Sequence, residues 1–264
     1  MAQEHHVDLF DEKAVSQLLD YLRPTDLIHL AWFTEPAEFW QSPLNLMWES
    51  RSLHLFASFI SNGGGRIVGA GSCAEYEWGA EVLEEGTTPE FPATPYGTAK
   101  LSLKRRTEAL ATEAGIGFSW ARFFFLFGPH ERKERFVSSI IDPLLRDDMA
   151  YCHSGSLIRD FLYVEDAGDA VAALAMSNVQ GAVNVGSGIA SRLGDVAKDI
   201  GMAMHAAHLV HIAPDDPAGT QPKAVVADVS RLTREVGWAP RYTQHDALKR
   251  TIAWRAAQQK INSV

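Results

Sequence analysis

The apolar positions in the first half of the chain alternate between helical and extended spacing. Asp11 stands as an N-cap ahead of Ala14, Val15, Leu18, Leu19 and Leu22, a helical repeat that Pro24 stops. Leu27-Ile28-His29-Leu30-Ala31 is a short apolar run that predicts a buried strand. A second helical repeat carries Leu53, Phe56, Ala57 and Ile60 and ends at Gly63-Gly64-Gly65. Arg66-Ile67-Val68-Gly69-Ala70 predicts the next strand. A loop with Pro89, Pro92 and Pro95 leads into a helical pattern over 96–114, with Ala99, Leu103 and Leu110 on one side and Gly115 as the stop. The unbroken apolar run over 118–126 predicts a strand covered on both faces. Helices alternating with strands predict an α/β fold built on a parallel sheet.

The second half is mixed. Phe136, Ile140, Ile141, Leu144 and Leu145 mark a helix. Residues 159–163 and 182–185 read as strands, with a helix between them from about Glu165. Residues 230–236 predict a short capped helix stopped by Gly237, and a polar-faced helix from His245 closes the pattern.

Composition narrows the function classes. The chain has 264 residues, 46% of them hydrophobic, enough for one large α/β domain or a domain with a smaller lobe. A net charge of −9 with no basic run excludes a nucleic-acid surface. The two cysteines, Cys73 and Cys152, are far apart, so neither a disulfide framework nor a metal site is expected. No apolar run reaches the ~20 residues that span a membrane. The first residues include Glu4, His5 and His6 and no apolar core of a leader. A cytoplasmic location is expected.

The candidate chemistry lies at the end of the strand at 66–70. Ser72 follows that strand, and in open parallel sheets this edge is where ligands bind. Tyr96 and Lys100 are four residues apart on a predicted helix, so they share a face. A phenol has a reference pKa near 10. A nearby ammonium favours the phenolate. Ser72, Tyr96 and Lys100 therefore suit proton exchange with a hydroxyl, as in a carbinol–carbonyl interconversion with hydride transfer. Other features read as structure. His29 is expected to be a core histidine, Phe123-Phe124-Phe125 core aromatics, and Glu84-Glu85 a solvated loop. Arg132, Lys133 and Arg135 suit either substrate phosphates or an exposed helix start.

The ordered motifs resemble the extended short-chain dehydrogenase/reductases, within them the NAD-dependent nucleotide-sugar epimerase/dehydratase group. Residues 26–31, Gly71-Ser72-Cys73-Ala74-Glu75-Tyr76, the Tyr-x-x-x-Lys of Tyr96 and Lys100, Ala121-Arg122-Phe123 through Phe127-Gly128-Pro129, the 159–166 segment, Asn184-Val185-Gly186-Ser187-Gly188 and Gly237-Trp238-x-Pro240 follow the family order. The resemblance implies Ser72, Tyr96 and Lys100 as catalytic residues. It implies Ala31, Asn45, Tyr96 and Lys100 as contacts of an NAD or NADP cofactor, and Ser72, Phe125 and Arg159 as contacts of a nucleotide-sugar substrate. Arg159 would meet the diphosphate, a task suited to a planar fork of donors. It further implies a homodimer formed through helices such as the one bearing Tyr96.

Three departures qualify the match. Family members open on a strand, a Gly-x-x-Gly-x-x-Gly turn and a helix, where the backbone approaches the cofactor pyrophosphate. This chain is expected to begin after that part, about 40–50 residues in. Gly69-x-Gly71-x-x-Ala74 and Gly186-x-Gly188 mimic the turn but are expected to serve the serine segment and a strand-end turn. Phe125 replaces an Asn that contacts substrate phosphate in many members. Cys73-Ala74 replace the Asp-Glu of the dehydratases, which favours epimerisation or 4-ketoreduction over dehydration.

The expectation is therefore a Rossmann-type, doubly wound parallel sheet lacking its first βαβ part, with a smaller C-terminal substrate lobe. The cofactor domain is expected over 1–128, with 157–205 returning to it, and the substrate lobe over 129–156 and 206–264. The expected function is an NAD(P)-dependent nucleotide-sugar epimerase or 4-ketoreductase. The alternative is a non-catalytic truncated relative that binds a sugar nucleotide or a protein partner.

Overall fold

The structure, a computed structural model, describes residues 3–36, 38–213 and 221–262, so parts of the expected lobe over 206–264 lie outside the described residues. In chain order the elements are α1 (Glu12–Leu22), β1 (Asp26–His29), α2 (Leu44–Ser61), β2 (Arg66–Ser72), β3 (Val82–Leu83), α3 (Pro95–Ala114), β4 (Gly117–Phe123), β5 (Phe125–Phe127), α4 (Phe136–Leu144), β6 (Ala150–Cys152), β7 (Ile158–Tyr163), α5 (Val164–Met176), β8 (Gly181–Val185), β9 (Ala190–Arg192), α6 (Leu193–Ala203), β10 (Val210–Ile212), β11 (Ala224–Ala227), α7 (Ser230–Arg234) and α8 (Gln244–Asn262). This is a Rossmann-like α/β fold of parallel sheets flanked by helices. The chain divides into two compact units. The first comprises Met1–Glu77, Pro89–Arg122 and Val171–Val183, and the second Trp78–Thr88, Phe123–Ala170 and Asn184–Val264.

The first unit is built around the sheet β1-β2-β4-β8. Strands β1 and β2 run parallel, with Leu27 beside Ile67 and His29 beside Gly69. Asp11 caps α1 by accepting the Ala14 N–H at 3.0 Å, which turns Val15 and Leu19 inward. Those residues join Phe56 and Phe59 of α2, Ile67 of β2, Leu103 of α3 and Trp120 of β4 in one core. Small residues on β2 make room for the indole: a Cβ on Gly69 would lie 2.3 Å from the Trp120 ring, and one on Gly71 2.2 Å from its nitrogen. The glycines of the Gly69-x-Gly71 segment are thus required by packing.

Helix α3 begins where local chemistry dictates. The Thr94 side chain accepts the Gly97 N–H, Pro95 occupies the first turn, and Gly115 closes the helix at φ 68°. Gly97 allows a close approach: a Cβ there would lie 2.2 Å from the Ala74 carbonyl oxygen and 2.8 Å from the Pro92 Cβ. The start of α3 is therefore seated directly on the turn that follows β2.

The second unit carries the parallel strands β3-β11-β7-β5, with β9 antiparallel to β7, and a separate parallel pair, β10-β6. Its core gathers Ile140, Ile141 and Leu144 of α4, Phe161 of β7, Val196 and Ile200 of α6, and Leu248 of α8.

Two expectations from the apolar pattern are corrected. The run over 118–126 is two strands: β4 ends at Phe123, and β5 restarts at Phe125 to pair with β7. Between them the Phe124 N–H donates to the Val185 carbonyl. Of the run at 27–31 only residues up to His29 form the strand, β1, an edge strand of its sheet among the described residues, and Ile28 and Leu30 are exposed rather than buried. Apolarity marks both segments as extended but does not say which sheet, or which position in it, each strand takes.

Candidate active site

Strand β2 delivers Ser72 to its C-terminal end, where the chain turns through a single 3-10 turn at Cys73–Glu75. Ser72 caps that turn: its Oγ accepts the Ala74 N–H at 3.2 Å, while the Glu75 carboxylate accepts the Ser72 N–H at 2.8 Å. This reciprocal box fixes the serine's backbone on both sides.

Glu75 is fully buried and is the hub of a charged network. It accepts the Trp120 Nε1–H at 2.9 Å and the Arg122 Nε–H at 2.8 Å. Arg122 also pairs with Glu90, which Lys104 reaches at 3.2 Å, and its guanidinium lies 4.4 Å over the Tyr76 ring. Burial alone works against the Arg122 charge, but Glu75, Tyr76 and Glu90 outweigh it and hold the guanidinium more strongly protonated than usual. Burial likewise pushes the Glu90 carboxyl up, yet Arg122 and Lys104 bring it down to about 2.

Tyr96 and Lys100 lie on the inner face of α3 and are both buried. The Tyr96 ring sits among Phe39, Trp40 and Trp32, with centroids at 5.0, 5.5 and 6.4 Å and all three contacts edge-to-face. Its backbone N–H donates to the Trp40 carbonyl. Lys100 Nζ donates to the Ala70 carbonyl at 2.8 Å, two residues before Ser72 on the same strand, and lies 6.0 Å from the Tyr96 ring centre. Burial lowers the Lys100 ammonium to about 7, with Glu75 pulling it partly back. Ser72, Tyr96 and Lys100 thus converge at one end of β2 around the seat of α3.

Of the residues expected to line a cofactor, Ala31 is exposed just beyond β1. Asn45 is fully buried: its Oδ1 accepts the Trp32 Nε1–H at 2.9 Å, and its Nδ2 donates to the carbonyls of Phe39 and Ser42. Its side chain is thus fully engaged with Trp32 and the 39–42 segment. His29 is a core histidine bonded to Ser52 at 2.8 Å, and burial, then the Lys100 charge, holds it down at about 3.

Phe125 and Arg159 come together in the second unit, the guanidinium 5.5 Å from the ring centre. Arg159 is buried and donates to the carbonyls of Ile158 and Pro222 and to Gln221. Its neighbour Asp160 accepts the backbone N–H groups of Ser187, Gly188 and Ala227 and the Ser187 hydroxyl. A Cβ on Gly186 would lie 2.7 Å from that carboxylate, so the Gly186-x-Gly188 pattern belongs to this knot. Glu85, expected in a solvated loop, is half-buried and accepts the Asn184 N–H at 2.6 Å.

Sequence reasoning missed Glu75, Arg122, Glu90 and the aromatic wall of Trp32, Phe39 and Trp40. One signal was readable, since Ser72-x-x-Glu75 has the spacing of a capping box.

Comparison with known proteins bears on the family and the fold. A trifunctional UDP-glucose 4,6-dehydratase/UDP-4-keto-6-deoxy-D-glucose 3,5-epimerase/UDP-4-keto-L-rhamnose-reductase of Arabidopsis thaliana is 27% identical over 166 residues, covering 62% of this chain and 25% of that protein. A dTDP-glucose 4,6-dehydratase of Escherichia coli is 24% identical over 284 residues, covering 94% of this chain and 78% of that protein. The chain spans about half the length of other curated relatives that it matches. The solved structure of MoeE5 in complex with UDP-glucose and NAD shares the fold at a TM-score of 0.85 and 24% identity, covering 97% of this chain and 86% of that one. The sequence profile of the NAD dependent epimerase/dehydratase family matches residues 2–186, and the chain belongs to that family.

Proposed function

We propose that the chain acts on a nucleotide sugar as an NAD(P)-dependent epimerase or 4-ketoreductase, with Tyr96, Ser72 and Lys100 as its proton-handling set. The observation that carries this reading is the convergence at the end of β2. Lys100 is anchored on the Ala70 carbonyl, Tyr96 lies one helical turn away, and Ser72 is fixed by its capping box.

Lys100, bonded to the Ala70 carbonyl two residues before Ser72, and Tyr96, one turn earlier on α3, are the residues that would hold the reactive end of a nicotinamide cofactor. For the pyrophosphate end, the Gly69–Ala74 segment offers no cradle, because its glycines are filled against Trp120. When bound, the cofactor supplies or accepts the hydride at the sugar carbon. Tyr96 takes or returns the hydroxyl proton at its phenol oxygen, and the Lys100 ammonium favours the phenolate. Ser72 Oγ holds the reacting sugar oxygen. Arg159 is proposed for the diphosphate, with Phe125 beneath its guanidinium.

Epimerisation or ketoreduction is preferred to dehydration because Cys73 and Ala74, both buried, follow Ser72 directly. Neither offers a carboxyl for eliminating water. The relatives and solved structures named for UDP and dTDP sugars support the substrate class.

The test is turnover of UDP-glucose and dTDP-glucose with NAD or NADP. Tyr96→Phe is expected to lower the rate by about 10² or more while the chain stays folded. Near-full activity in that variant would overturn the reading. A second reading, a non-catalytic relative that binds a sugar nucleotide or a protein partner, draws on one observation. The Lys100 ammonium is already committed to Ala70 and to the face of Trp32. Calorimetric binding of UDP-glucose unaffected by NAD or NADP, with no turnover, would select it.

A further inference from the structure

We propose that Trp32, oriented by Asn45, is a positioning residue for Lys100, its indole face holding the ammonium against the Ala70 carbonyl. The Lys100 Nζ lies 3.8 Å from the centre of the Trp32 ring, well inside the range of an effective cation–π contact. The same nitrogen donates to Ala70 at 2.8 Å. A carbonyl oxygen on one side and a π face on the other leave the ammonium a single seat.

The indole is itself held. Its Nε1–H donates to Asn45 Oδ1, and Asn45 is fixed by the carbonyls of Phe39 and Ser42. The fully buried amide at position 45 thereby gains a role: it sets the ring plane that Lys100 meets. Trp32 also contacts the Tyr96 ring edge-on, so one side chain touches two of the three residues of the proposed proton site. This placement matters because Lys100 is almost wholly removed from water, where an ammonium depends on what replaces its hydration.

Among the described residues, the titratable groups that face Lys100 include Glu75 from the turn after β2, which acts on its charge, His29 from β1, which feels that charge, and Tyr96 from its own helix at 6.0 Å. Glu75 favours the ammonium, and His29 is held neutral beside it. The π face adds a contribution that none of these supplies, since it favours the protonated lysine without bringing a charge that titrates.

The catalytic importance of this seat rests on the function proposed above, but the seat can be tested without turnover. The chain is labelled with 13C-lysine, and the Lys100 resonance is assigned by its loss in Lys100→Met. Its titration is then followed by NMR in the absence of cofactor. Trp32→Leu is expected to lower the Lys100 midpoint by about one unit, and Trp32→Phe by clearly less, because a smaller π face remains. A multiply fluorinated tryptophan placed at position 32 keeps the shape but weakens the π face, and should lower the midpoint stepwise with fluorine number. That series decides the matter even if Trp32→Leu does not fold. An unchanged midpoint across the fluorinated series would overturn the proposal.

In the active chain the alkaline limb of kcat/KM should shift to lower pH with the NMR midpoint, whereas a merely structural role would lower the whole profile without moving it. If Tyr96→Phe keeps full activity while the midpoint still follows the fluorination, the function has failed and the seat stands.

Discussion

The backbone N–H of Ser72 donates to the Glu75 carboxylate at 2.8 Å, so the candidate catalytic serine is tied to the buried charge network of its unit. The same carboxylate neutralises Arg122, which is equally buried. Removing the charge in Glu75→Gln leaves Arg122 with Glu90 alone. Breaking a buried pair from one side costs about 3–5 kcal/mol, and urea unfolding is expected to show a loss of that order. A loss below about 1 kcal/mol would mean that Glu90 compensates. Glu90 adds an acid-side signature. Its folded carboxyl lies at about 2 against an ordinary 4.5, so its contribution is full above about 4.5 and is lost as the pH falls toward about 2.

Gly97 links packing to chemistry. In Gly97→Ala the new methyl would lie 2.2 Å from the Ala74 carbonyl oxygen, so α3 must lift from the turn that carries Ser72. Overpacking of this kind costs about 1–3 kcal/mol. Displacing Tyr96 from Ser72 by about 1 Å should cost about 10²-fold in turnover. The control is Gly79→Ala, where a Cβ meets nothing within 4 Å, and which should change stability by less than about 0.5 kcal/mol. Equal behaviour of the two variants, in urea unfolding and in turnover, would dissociate the seat of α3 from the site.

Much of this arrangement was legible before the fold was known, for local reasons. Thr94, Pro95 and Gly115 delimit α3 because capping chemistry acts over a few residues. The position of Ser72 after an apolar strand, and the four-residue step from Tyr96 to Lys100, are likewise local. What escaped is long-range. Arg122 reads as one charge in an apolar strand until Glu75, 47 residues earlier, lies 2.8 Å from it. Trp32 and Asn45 gain meaning only when Lys100 arrives from α3. Gly69 and Gly71 imitate a phosphate turn because a glycine that admits an indole leaves the same letters as one that admits a phosphate. The split of 118–126 between two sheets is invisible to periodicity, since both halves are apolar and extended.

Asp160 shows how a motif can be structural beside a residue proposed for binding. It is fully buried, and its carboxylate gathers β7, the turn after β8 and the end of β11 through Ser187, Gly188 and Ala227. Asp160→Ala strands three backbone N–H groups at about 1–3 kcal/mol each, so a loss of about 3 kcal/mol or more is expected in urea unfolding. Ser187→Ala removes only the hydroxyl donor and should cost about 1 kcal/mol. Comparable losses for the two variants would show that water takes over the stranded groups.

Lys100 and His29 make a paired prediction about alkaline and acid stability. Burial holds Lys100 at about 7 against an ordinary 10.5, and His29 at about 3 against 6.5. The native chain therefore binds fewer protons than the unfolded chain between about 3 and 6.5 through His29, and between about 7 and 10.5 through Lys100. Stability rises with pH wherever the unfolded chain binds more protons, so it should climb through both windows. The destabilisation from Lys100 is fully present below about 7 and gone above about 10.5, and that from His29 is fully present below about 3 and gone above about 6.5. Lys100→Met should abolish the upper climb. Exchanging buried ionic groups for apolar ones of similar volume stabilises by up to about 1–4 kcal/mol, so this variant should also outlast the parent chain at neutral pH. The check is a series of urea unfolding curves across both windows at constant m-value. An upper climb that persists in Lys100→Met would assign it to another group and place the lysine outside the buried seat.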